Sequence, residues 1–144
     1  STSTSKAPVK PPSSSSEDGP LADGLAVRRE VLGDEHVDRS MGRATPFTAP
    51  FQDYITRCAW GEVWTRRGLD RRMRSAITLA VLVALRAEDE LALHVRAALR
   101  NGLTEEEIGE VLLHTAVYAG VPAANTAFAV AQRTLREERG EETG

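Results

Sequence analysis

Apolar positions recur every three or four residues from residue 21 to residue 138, with no alternating stretch, so the pattern predicts helices and no strands. LADGLAVRREVLG places Leu21, Leu25, Val27 and Leu32 within one helix and Gly33 at its stop. DEHVDRSMGR is a short helix or turn. A longer helix is predicted from about Thr48 to Trp64, with Phe51, Tyr54, Ile55 and Cys58 three or four apart. Arg67-Gly68 breaks it, and Asp70 caps a helix running to about Arg86. That helix contains AITLAVLVAL, apolar nearly all round, and is predicted to be the buried centre. A helix from Asp89 to Arg100 ends at Asn101-Gly102. Thr104 and Glu107 form a capping box for EEEIGEVLLHTAVYAG. Gly120 ends that helix and Pro122 opens the last one, whose small residues permit close packing. The expected fold is an all-α bundle of six or seven helices.

Composition narrows the chemistry. Among 144 residues, 18 are basic and 21 acidic, a formal charge of −3. This is one domain's length with an ordinary apolar share, and no apolar run approaches the roughly 20 residues of a membrane span. No signal peptide pattern is seen, so a cytoplasmic location is expected. A single cysteine, Cys58, excludes an internal disulfide, a CxxC redox pair or a Cys-rich zinc site. The only lysines, Lys6 and Lys10, lie in the first ten residues. Schiff-base chemistry in the folded domain is therefore disfavoured, and an anion site must use arginine, histidine or backbone amides. An acidic chain without a basic stripe does not suit nucleic acid.

The ends differ from the middle. Residues 1–20, STSTSKAPVKPPSSSSEDGP, hold seven serines and four prolines with almost nothing to bury. They read as a trimmed terminus or as an interdomain connector, and their composition favours the connector. Residues 139–144 are an acidic, solvated end.

Three histidines are the candidate proton carriers. His94 lies four residues after Glu90, so a helix puts both on one face, where a carboxylate and an imidazole can hold and transfer a proton. A surface ion pair is the structural alternative. His114, among Leu112, Leu113 and Val117, reads as a core histidine. His36 can pair with Asp34, Glu35 or Asp38. The separations of 58 and 20 residues match no metal-ligand motif, so no metal is expected. Five of the seven aromatics lie between Phe47 and Trp64, and six arginines between Arg57 and Arg74. Such a cluster can wall a pocket for a small planar anion, or be a helix junction with solvated arginines.

The segments VLGDEHVDRS, FQDYITRCAWGEVWTRRGLDRRMRS and ELALHVRAALRNGLTEEEIGEVLLHTAVYAGVPAANTAF together resemble the 4-carboxymuconolactone decarboxylase family. The likeness covers about residues 21–138. The wider alkyl hydroperoxidase D-like superfamily implies the same all-α fold. Its redox members carry C-x-x-C-x-x-x-H; His94 matches that histidine, but Ala87 and Glu90 stand at the cysteine positions, so thiol peroxidase chemistry is not expected.

The resemblance implies decarboxylation, without a cofactor, of 4-carboxymuconolactone to 3-oxoadipate enol-lactone, in the β-ketoadipate (protocatechuate) pathway of aromatic degradation. It also implies a homo-oligomer (trimer or hexamer) and, with the Ser/Pro-rich start, fusion to an enol-lactone hydrolase. On the match, His94 is the expected proton donor or oxyanion partner, oriented by Glu90. Arg72 and Arg74 are expected to hold carboxylates, His36 and Arg39 to complete the pocket, and Trp60 and Trp64 to form an apolar wall. The competing readings are the same fold acting on a different lactone and a non-catalytic oligomerisation module.

Overall fold

The structure, a computed structural model, describes residues 19–141. Within them lie seven α-helices and one π-helix, with no strand. In order these are α1 (Gly19–Leu32), α2 (Asp34–Gly42), α3 (Ala49–Ile55), the π-helix (Thr56–Val63), α4 (Arg71–Leu85), α5 (Glu88–Arg100), α6 (Glu105–Ala119) and α7 (Val121–Glu138). The all-α bundle read from the sequence is the fold observed. None of the described helices is long and apolar enough to cross a membrane. Residues 1–18 and 142–144, which carry most of the expected connector and half of the acidic end, lie outside the described residues.

The helices begin and end where the chain supplies partners for free backbone groups. Asp70 accepts a hydrogen bond from the Met73 amide at 2.8 Å. Thr104 and Glu107 close both arms of a capping box at 3.0 Å. Each such cap contributes on the order of 1 kcal/mol.

Two apolar cores share α5. The larger lies among α4–α7 and contains Leu79, Val83, Leu91, Val95, Ile108, Leu112 and Val130. The alanines Ala123, Ala127 and Ala131 of α7 are buried in it, so the small-residue face serves packing within this chain. The smaller core joins Val31 of α1, Trp60 of the π-helix and Ala97 of α5, with Trp64 packed alongside. Here α1 lies unusually close to the π-helix: a Cβ at Gly24 would stand 2.0 Å from the Thr56 carbonyl oxygen. Only glycine permits that approach.

Three readings change. The helix expected across 48–64 is α-helical only to Ile55 and then widens to i→i+5 winding, with the Trp64 amide bonded to the Ala59 carbonyl at 2.9 Å. α4 is not a wholly buried centre. Ser75, Leu79 and Val83 face inward, but Met73, Ile77, Val81 and Leu85 form an exposed stripe at four-residue intervals. His114 is exposed beside Tyr118 rather than buried in the core.

Candidate active site

Gly33 separates α1 from α2 with φ of +92°, a conformation that glycine adopts at no steric cost. Arg29 latches the two helices by bonding Asp34 at 3.2 Å and Asp38 at 2.7 Å. The turn leaves a cavity of about 460 Å³ between α2 and α5, lined by His36, by Arg39, Arg96 and Arg100, and by the carboxylates of Asp34, Glu35 and Glu138, with Leu32 and Leu93 as its apolar part. A Cβ on Gly33 would meet the Arg100 guanidinium at 3.2 Å, so the glycine also makes room for this arginine. Arg96 is neutralised from α7 by Glu137 at 2.7 Å and Glu138 at 3.1 Å. Among the described residues Arg100 has no carboxylate partner, and Arg39 has only Glu35 at 3.9 Å.

His36 is a half-buried member of the cavity lining. Its imidazole approaches the Ser40 hydroxyl at 3.4 Å. Burial, followed by the charges of Arg28, Arg39, Arg43 and Arg96, pushes its pKa below the usual histidine value. His94, on α5, is only 8% exposed, and its Nδ1 has no hydrogen-bond partner. Burial, with a smaller contribution from His36, lowers its pKa to about 4. Both imidazoles are thus biased toward the neutral form near pH 7, in which one ring nitrogen donates and the other accepts.

The expected residues separate into groups. His36 and Arg39 line the cavity, and His36 is close enough to His94 to act on its titration. Glu90 is exposed and makes no hydrogen bond to His94; its charge acts on Arg28 instead. Trp60 and Trp64 stack with ring centroids 5.1 Å apart and belong to the smaller core, which includes the cavity residue Leu32. Arg72 and Arg74 are not among the cavity-lining residues. Arg72 bonds the Gly102 carbonyl and the Glu107 carboxylate, and Arg74 donates to the Arg66 carbonyl at 3.3 Å.

Arg28 was not singled out in the sequence. Yet it is a buried arginine on α1, held by Thr56 and Gln52 and felt electrically by His36. The signal was present. With Leu21, Leu25 and Leu32, Arg28 occupies one apolar face at spacings of four, three and four residues. A charge on that face cannot be assigned to solvent. No group of three or more His, Cys, Asp or Glu side chains among the described residues is arranged to hold a metal.

An all-α bundle whose cavity holds His36 and an arginine, Arg100, without a carboxylate partner suits a small carboxylated substrate. Residues 49–133 match the model of the carboxymuconolactone decarboxylase family. The chain is 50% identical over 114 residues to a 4-carboxymuconolactone decarboxylase from Acinetobacter baylyi, covering 79% of this chain and 85% of that protein. It is 48% identical over 121 residues to a nitrosuccinic acid decarboxylase from Metarhizium robertsii, covering 83% and 85%. A 4-carboxymuconolactone decarboxylase from Pseudomonas putida matches at 51% over 39 residues, 27% of this chain and 81% of that sequence. The chain belongs to the carboxymuconolactone decarboxylase family.

Proposed function

We propose that this chain decarboxylates 4-carboxymuconolactone to 3-oxoadipate enol-lactone and CO2. The observation that carries the reading is 50% identity over 114 residues to a relative bearing that activity in its name. The cavity supports it, offering Arg39 and Arg100 to an anion beside His36.

The chemistry makes limited demands. The departing carboxylate sits on a ring carbon next to a C=C conjugated with the lactone carbonyl. Its C–C bond breaks, the electron pair moves through the C=C onto the carbonyl oxygen, and a dienolate forms with release of CO2. One proton delivered to the carbon alpha to the carbonyl gives the β,γ-unsaturated enol-lactone. The substrate is its own electron sink, so the reading includes no cofactor. The protein holds the retained carboxylate, stabilises the dienolate oxygen and supplies the proton. A neutral His94 donates an N–H to the developing oxyanion, and a dianionic substrate beside the two imidazoles raises their affinity for the proton to be delivered.

A second reading rests on the Metarhizium relative. In nitrosuccinic acid, loss of the carboxylate next to the nitro group leaves its electrons on that group as a nitronate. The two reactions share a small dicarboxylate with a built-in electron sink. Parallel assays of both compounds, with EDTA present, separate them. Turnover of the lactone at least tenfold more efficient than that of nitrosuccinate supports the first reading; the reverse order supports the second.

The same reading includes a cytoplasmic homo-oligomer, a trimer or hexamer. Met73, Ile77, Val81 and Leu85 of α4, with Leu113, Val117 and Tyr118 of α6, are exposed apolar residues that a second copy of the chain would cover. Val81→Glu is expected to lower the mass measured by light scattering, and an unchanged mass contradicts this choice of face. Residues 1–20 serve, in this reading, as a connector to an enol-lactone hydrolase domain. A stop codon in frame immediately upstream contradicts that part.

A further inference from the structure

Arg28 is 6% exposed, and no carboxylate among the described residues lies within salt-bridge distance of it. A buried guanidinium without a counter-ion is costly unless something else supplies the negative charge. Two of its five N–H donors are used: Nη1 donates to the Thr56 hydroxyl at 3.2 Å and Nη2 to the Gln52 side-chain oxygen at 3.1 Å. Its Nε is buried and has no partner. Both acceptors are neutral, and the carboxylate that acts on Arg28, that of Glu90, does so without a hydrogen bond or salt bridge to it.

The surroundings hold this group in place. Thr56 spends its own proton on the Gln52 carbonyl at 2.8 Å, so toward Arg28 its hydroxyl acts as an acceptor. Thr56 opens the π-helix, and its backbone oxygen presses so closely on Gly24 that α1 cannot carry a side chain there. π-Helical turns interrupt α-helices frequently at functional sites. Here the widened turn keeps Thr56 and Trp60 both buried against α1, one bonding Arg28 and the other packing beside Val31. His94 brings a second buried, unpartnered nitrogen, Nδ1, and His36 feels Arg28 and acts on His94. Arg28 and His94 are thus two buried basic side chains, each with a nitrogen free to take a hydrogen-bond partner, and no direct counter-ion bonds Arg28.

We infer that Arg28, positioned by Thr56 and Gln52 at the start of the π-helix, binds the carboxylate that the substrate retains. The inference rests on the decarboxylase reading and names the residue that anchors its substrate. The retained group is the appropriate one. A fork-like charge-assisted contact to the departing carboxylate would stabilise the ground state more than the transition state and slow CO2 loss, whereas the same contact to the retained carboxylate acts equally in both. Arg28 therefore governs binding more than the chemical step, and Lys is a poor substitute because it lacks the planar fork.

The test uses the full chain and the saturated analogue of the lactone, which keeps both carboxylates but lacks the C=C sink and cannot decarboxylate. The analogue is titrated while the Nε–H resonances of the arginines are followed by NMR. The Arg28 Nε–H is expected to move as the site fills, because its unpartnered proton gains an acceptor. In Arg28→Lys the analogue's Kd and the lactone's KM are expected to rise by about ten- to a hundredfold, the range for losing hydrogen bonds to a charged group, with kcat within about threefold.

A merely structural Arg28 would lower Tm without moving the Arg28 Nε–H on titration of the parent chain. That result, or an Arg28→Lys variant that folds and binds the analogue within threefold of the parent, overturns the proposal while leaving decarboxylation intact. If Arg28→Lys does not fold, the titration of the parent chain decides alone. A parent chain that neither turns over the lactone nor binds the analogue overturns the decarboxylase reading and this assignment together.

Discussion

The two cores treat their polar groups differently. Around the α4–α7 core, side chains settle their hydrogen bonds locally: Thr115 donates to the Val111 carbonyl at 2.7 Å, Thr134 to Val130 at 2.8 Å, and Asn101 to Ser75 at 2.7 Å. Arg74 Nε is the unpartnered group on that side, on a half-buried residue whose Nη2 is bonded. Around the smaller core, by contrast, Arg28 and His94 are almost fully buried with nitrogen atoms unpaired, next to a cavity rich in arginine. Buried polar groups are normally satisfied, and those that are not call for an explanation. One half therefore supplies stability, and the other accepts electrostatic cost for the site we propose.

The comparison can be broken most decisively at His94. His94→Ala is expected to reduce kcat by about 10²–10⁴-fold if the imidazole takes part in proton delivery. Turnover within threefold of the parent, with the helical circular dichroism intact, removes His94 from that role.

Acid should reveal the same residue through stability. Its folded pKa of about 4 lies below the ordinary 6.5, so between these values the unfolded chain binds the proton that the folded chain excludes. The associated stability is complete above about pH 6.5, falls as the pH drops, and levels off below about 4, a loss of about 3 kcal/mol. Urea unfolding from pH 7 to 4 measures it, and His94→Gln should flatten part of the slope. An unchanged slope in that variant would mean that other groups carry the acid sensitivity.

Gly33→Ala should cost about 1–3 kcal/mol, because a side chain must then adopt a positive φ, and it also displaces Arg100 from the cavity. Both a lower urea midpoint and a raised KM are expected; a raised KM is the part that a purely structural glycine would not produce. In the better satisfied half, Thr104→Ala should cost about 1 kcal/mol through loss of the cap and leave kcat and KM unchanged. A change in KM there would blur the division between the halves.

Helix boundaries were legible because capping chemistry is local: Asp70, Thr104, Gly120 and Pro122 each mark an end by their own side-chain or backbone properties. The π-helix was not legible, since Phe51, Tyr54, Ile55 and Cys58 satisfy α-helical spacing and the wider winding arises from packing against α1. The exposed stripe of α4 was hidden for a related reason. A helix apolar all round has the same sequence whether its second face meets this chain or another. His36, Arg39 and His94 are candidates that the family resemblance points to, whereas Arg28 sits in an Arg-Arg pair that resembles a solvated face until it is placed among Leu21, Leu25 and Leu32.

The central claim is tested most directly by a coupled assay. 4-Carboxymuconolactone is generated in situ, the full chain is added with EDTA present, and CO2 release and enol-lactone formation are followed together. The account predicts metal-independent turnover giving both products in equal amounts. A folded chain that releases neither product from the lactone would contradict it.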